Sequence, residues 1–190
     1  MSKEYIEDKT FEKIDFSKEE FIIGDYDNCT FIDCIFLNTD LSNSNFSDCE
    51  FNKFNLSMAK IRKISLKEIK FKNCKLLGLQ FQTCNEFLFS VNFENCILDL
   101  ASFYKLNLKI SKFKDCSLKE VDFTECNLTG LVFDNCNFNK AKFEKTILEK
   151  ADFRTSYDYS IDPEINKIKK AKFSLSGISG LLDKYDIQIE

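Results

Sequence analysis

Large apolar side chains recur every five residues along this chain. From Phe11 the steps reach Phe16, Phe21, Tyr26, Phe31, Phe36, Leu41, Phe46, Phe51, Leu56, Ile61, Leu66, Phe71, Leu76 and Phe81 without a miss. The next step lands on Glu86. A shift of two restores the series at Leu88, Phe93, Leu98, Phe103, Leu108, Phe113, Leu118, Phe123, Leu128, Phe133, Phe138, Phe143, Leu148 and Phe153. A period of five fits neither a helix at 3.6 nor an ordinary strand at 2, so the pattern belongs to a solenoid built from short repeated units.

Two positions before many of these central residues sits a small or apolar side chain, such as Ala59, Val91, Ala101, Val121, Ala141 or Ala151. All 9 cysteines occupy this position too, with Cys84 counted in the register before the shift. Their spacing therefore follows the repeat. A structural zinc site needs paired thiolates two to four residues apart, and the chain has no such pair and no His. The odd cysteine count and the charged N-terminus MSKEYIEDKT argue against a disulfide framework and for a reducing compartment. Cysteine serves here as a small hydrophobe. No run of about 18 apolar residues occurs, so a cytoplasmic chain without a membrane span is expected.

The pattern small–polar–Phe/Leu–polar–polar resembles the pentapeptide-repeat family, whose consensus is A(D/N)Lxx, over residues 9–155. ADFRT at 151–155, VDFTE at 121–125 and CNLTG at 126–130 carry the resemblance most closely. It implies an all-β solenoid, a right-handed quadrilateral β-helix in which four units make the four sides of one coil. Residues twenty apart should then stack. One side reads Phe11, Phe31, Phe51, Phe71, Phe93, Phe113, Phe133 and Phe153, and another Tyr26, Phe46, Leu66, Leu88, Leu108, Leu128 and Leu148. With strands about 4.8 Å apart, the repeats make a rod on the order of 35 Å long, whose stacked coils bury a core no single unit could bury.

Three regions are expected: a repeat β-helix over 1–155, a distorted last coil over 156–173 in which Phe173 falls twenty residues after Phe153, and a C-terminal helix and tail over 174–190. Leu175, Ile178, Leu181, Leu182 and Tyr185 share one face of that helix, which needs a partner, although Gly177 and Gly180 weaken it. The tail resembles the C-terminal segment of the Qnr-type quinolone-resistance branch of the family. That resemblance implies a homodimer joined through the tail, and binding to DNA gyrase or topoisomerase IV as a rod imitating duplex DNA, protecting the enzyme from quinolones or a gyrase-directed toxin. Several Qnr-type proteins carry longer loops, whereas here only Glu86 and Phe87 are inserted. These two form either a bulge at a corner or a recognition bump.

Charge is banded. Residues 1–56 hold 13 acids against 5 lysines, and 57–82 hold 7 Lys/Arg against 1 acid, within a net charge of −4. The acids Asp25, Asp33, Asp40, Asp48 and Glu50 are candidate contacts for a cationic partner, because acid rows on stacked coils repel one another. The basic belt Lys60, Arg62, Lys63, Lys67, Lys70, Lys72 and Lys75 lacks interleaved outward aromatics, which argues against DNA binding. Without His, a G-x-S-x-G turn or a phosphate loop, nothing suggests catalysis, a metal or a cofactor. Two readings stay open: a topoisomerase-binding DNA mimic, and a scaffold solenoid with an unrelated protein partner.

Overall fold

The computed structural model describes residues 3–188. Parallel strands at Thr10–Glu12, Thr30–Ile32, Glu50–Asn52, Ile69–Lys72, Val91–Glu94, Lys112–Lys114 and Phe133–Asp134 stack in register as one side of the rod. Within it Phe11, Phe31, Phe51, Phe71, Phe93, Phe113 and Phe133 are direct Cα partners from coil to coil. We call this the first face. A second face follows Phe36, Leu56, Leu76 and Leu98, tied by single parallel bridges such as Ile35–Asn55, Asn55–Lys75 and Lys75–Ile97. The third follows Leu41, Ile61, Phe81 and Phe103. The fourth begins with strands Glu4–Glu7, Gly24–Asp27, Asn45–Ser47 and Ser65–Lys67. The molecule is a right-handed quadrilateral β-helix, as the resemblance to the pentapeptide-repeat family implies.

Each unit alternates inward and outward. The central residue and the one two before it point inward, and the three others face solvent. Phe31, Phe93, Phe113, Phe133 and Phe153 are fully buried, with successive rings 4.8–5.3 Å apart at Phe11–Phe31, Phe51–Phe71 and Phe71–Phe93. The corners are turned by the last residue of the unit, which takes the left-handed conformation. Lys13, Asp33, Lys53, Asn73, Asn95, Asp115 and Asn135 line one corner with φ of 51–56°. A non-glycine residue pays roughly 1–2 kcal/mol for that conformation. In return its N–H reaches the next coil, as from Asp33 to the Asn52 carbonyl at 2.9 Å and from Asp115 to that of Asp134 at 2.8 Å.

All nine cysteines are free and buried. Burial pushes the thiols of Cys49 and Cys126 up to about 12 from an ordinary 9.0. Their folded-state values exceed the unfolded ones, so the stability they contribute is complete below about pH 9 and is lost as pH rises toward 12. The melting temperature should accordingly fall between pH 9 and 11, and Cys126→Ala should flatten that fall; an unchanged alkaline slope in the variant would contradict the assignment.

Two expectations need correction. Leu88 does not rejoin the core: it is 55 % exposed with φ of 57°, and Phe89 is buried in its place, its ring 6.3 Å from that of Phe81. The excursion therefore spans Asn85–Leu88. Placing Phe89 inward lets the Ser90 N–H reach the Leu66 carbonyl at 2.9 Å, and Val91 then pairs with Ile69. The expected C-terminal α-helix is instead two 3-10 turns, Ile178–Leu181 and Asp183–Tyr185. Its glycines are the reason. Gly180 lies against the backbone of Tyr159, where a Cβ would overlap the carbonyl oxygen, and its own carbonyl accepts the Ile161 N–H at 2.8 Å. Among the described residues, no helix is long and apolar enough to cross a membrane.

Candidate interaction surfaces

Which face a residue occupies depends on its position modulo twenty, and this divides the candidate acids. Asp25 and Asp48 lie on the fourth face and its corner, Asp33 on the corner after the first, Glu50 on the first and Asp40 on the third. The structure does not bring these five together. The fourth face nevertheless gathers further acids: Glu7 is the register partner of Asp27 across the first two coils, and Asp8 and Glu68 share the left-handed corner with Asp48. This acidic face runs toward the excursion at Asn85–Leu88, where Phe87 is 75 % exposed and the Asn85 side chain accepts the Phe87 N–H at 3.0 Å.

Direct stacking of acid on acid is rarer than the sequence suggests. Asn28 donates to Asp8 and Asn45 to Asp25, both at 2.7 Å. Lys72 pairs with Glu50 at 3.0 Å and Lys3 with Asp25 at 3.5 Å. Amides and lysines interleaved one coil away remove most of the repulsion expected from the acid rows. The basic belt is dispersed in the same way. One coil takes about twenty residues, so Lys60, Arg62 and Lys63 fall on the third face and its corner, Lys67 on the fourth, Lys70 and Lys72 on the first, and Lys75 on the second. No face becomes basic.

The tail residues are divided as well. Leu181 is half-buried and packs against the core, and Leu182 is half-buried, whereas Leu175, Ile178 and Tyr185 are exposed, Leu175 at 91 %. Lys184 clamps the segment to Asp162 at 2.7 Å and Glu164 at 2.6 Å, and the Tyr185 hydroxyl donates to Glu164 at 2.8 Å. Phe173 stacks on Phe153 at 5.5 Å, and Tyr159 packs against both. The tail closes the end of the rod.

No curated protein sequence matches the chain significantly. Among solved structures it is similar to a trypsin-treated variant of QnrB1, described as a plasmid-mediated fluoroquinolone resistance protein. That match has 19% identity, covers 97% of this chain and 99% of the other, and gives a TM-score of 0.57. Full-length QnrB1 is similar at 19% identity, with 97% and 100% covered and a TM-score of 0.50. HetL, a pentapeptide repeat protein from the cyanobacterium Nostoc sp. strain PCC 7120, matches at 12% identity, 90% and 87% coverage and a TM-score of 0.43. At such identities the likeness concerns the fold alone. The model of the pentapeptide repeat region matches residues 5–81 and 87–157, breaking at the excursion the structure shows, and the chain belongs to the pentapeptide-repeat family.

Proposed function

We propose that this chain is a non-catalytic binding protein whose fourth face docks on the cationic DNA-binding surface of a type II topoisomerase, DNA gyrase or topoisomerase IV. The observation that carries the reading is the acidic column Glu7, Asp8, Asp25, Asp27, Asp48 and Glu68 on a straight, rigid face. Six acids within four coils, interleaved with Asn28, Asn45 and Ser47 and with Lys67 as the one base in the same columns, offer a net negative edge to groups that normally hold phosphates. The exposed Phe87 beside Glu86 supplies an apolar anchor at the end of that edge. The likeness in fold to QnrB1 agrees with this target, and protection from quinolones is the expected consequence of occupying it.

Pull-down and supercoiling assays with purified gyrase, with and without a quinolone and across a salt series, test the proposal. Binding should weaken steeply with salt. Reversal of Asp25, Asp48 and Glu68 to Lys should abolish it, while reversal of Lys63 and Lys70 to Glu, on other faces, should leave it unchanged. Binding that survives the acidic reversals, or no binding at low salt, would leave the scaffold with an unrelated protein partner as the better reading.

A further inference from the structure

The second face differs from the others in what it shows to water. Over four successive coils its outward positions hold Ile35, Leu37, Met58, Leu77, Ile97 and Leu100, each 37–60 % exposed. In the linear sequence these residues are scattered; the twenty-residue coil places them in adjoining rows. On this face the outward positions of these coils carry two charges, Lys75 and Asp99. Neither forms an ion pair among the described residues; Asp99 accepts the Ser117 hydroxyl at 2.6 Å and the Lys119 N–H at 3.0 Å, both through Oδ1, which orients the carboxylate and leaves Oδ2 for a partner. Charged residues bound the patch at both ends, with the Lys18–Asp15 pair at 2.7 Å in the first coil and Lys119 and Glu120 in the coil after Leu100. An apolar centre with a polar rim is the anatomy of a protein interface.

We propose that this face is the seam for a second copy of the chain. Strand addition cannot cover it, because its backbone is already bonded from coil to coil: the N–H groups of Met58, Gly78 and Leu100 reach the carbonyls of Leu77, Asp99 and Lys119. What remains is a flat surface of side chains, which fits another flat surface. The charges select a copy of the same face. Lys75 and Asp99 stand one coil apart in opposite outward rows, so a two-fold axis in the plane of contact, crossing the midpoint between them at right angles to the line that joins them, sets each Lys75 against Asp99 of the other copy. The pair forms twice, as an isologous interface requires. Leu77 and Ile97 lie between the two pairs, and the rods cross steeply rather than running side by side. The Met58 sulfur fills the space over Gly78, which keeps this part of the face level.

Such a patch offers on the order of 500 Å2 per copy, or about 1,000 Å2 for the pair, the lower end for specific interfaces. An interface of that size suits a weak, reversible dimer. The seam does not depend on the topoisomerase reading. In a four-sided rod the second and fourth faces are opposite, so the dimer leaves both acidic faces outward.

Sedimentation equilibrium across micromolar concentrations, with circular dichroism to confirm the fold of each variant, tests the seam. The unaltered chain should pass from monomer to dimer. Leu77→Glu, at an exposed position, should weaken association by roughly tenfold or more. Lys75→Glu and Asp99→Lys should each weaken it, and the double exchange should recover it, which an indirect effect on folding would not produce. Leu175→Glu at the rod's end should change nothing. A monomer at every concentration, dissociation by Leu175→Glu but not by Leu77→Glu, or a double exchange no tighter than the single ones would each overturn the proposal.

Discussion

Phe133→Ala is expected to destabilise the protein by about 3–5 kcal/mol in denaturant melts, the range for a large buried aromatic whose cavity cannot collapse. The ring is fully buried, with its centroid 5.2 Å from Phe113 and 4.9 Å from Phe153 along the column, and 5.0 Å from Phe138 across the core. Relaxation is blocked because the backbone on either side is fixed by bonds between coils, including the Phe133 N–H to the Asp152 carbonyl at 3.0 Å. Phe113→Ala should behave alike. Lys114→Ala removes only an exposed pair with Glu94 at 2.8 Å, which solvent screens, and should leave the stability nearly unchanged. Equal, mild losses at Phe133 and Lys114 would contradict the inward and outward assignment.

The second large effect lies at the cap. Gly180→Ala puts a methyl group onto the carbonyl oxygen of Tyr159, which is backbone and cannot swing aside. The strain should reach or exceed the roughly 1–3 kcal/mol of an overpacked site, and it is most cheaply relieved by releasing the segment after Phe173. Limited proteolysis should then cut the variant within residues 174–188 while the repeat region stays resistant. Lys184→Ala, which breaks the clamp to Asp162 and Glu164 without a clash, should loosen the segment less. A variant Gly180→Ala as resistant as the parent chain would show that the tail is not held by this contact.

Much of the fold could be read from the residues because the interior is periodic. Phe at every level of the first face and the small residues two positions earlier define the coil, and Cys74, Cys96, Cys116 and Cys136 announce the same column of the interior. Two features escaped for a physical reason. At the excursion, Leu88 and Phe89 are adjacent and both apolar, so hydrophobicity could not decide which turns inward; closing the chain between Asn85 and Val91 decided it. In the tail, Leu181 and Leu182 suit a helical face, but the close approach of Gly180 to Tyr159 is a tertiary contact that spacing does not encode. The surfaces were least legible. A run such as Lys60 to Lys75 looks like a patch in sequence and becomes a ring in space, whereas the apolar rows of the second face look like scatter until folded modulo twenty. The left-handed corners had a signal that went unused, the repeated Asn, Asp and Lys at the last position of the unit.

The excursion at Asn85–Leu88 also sets how the rod comes apart. On the fourth face Ser65 bridges to Asn85, and the bridges resume only at Asn107–Asn127, so the described residues form no bridge from Asn85 onward to the next coil on that side. The other faces remain joined there, as at Ile69–Val91, Lys75–Ile97 and Gln80–Ser102. In a solenoid, stability is close to a sum of coil terms and nearest-neighbour couplings. The coupling across the excursion is bridged on three sides, and so is the one before it, where the third face has no bridge from Lys60 to Gln80 among the described residues. Partial opening is therefore expected to start at these two adjacent, less bonded couplings, at the base of the bulge that carries Phe87.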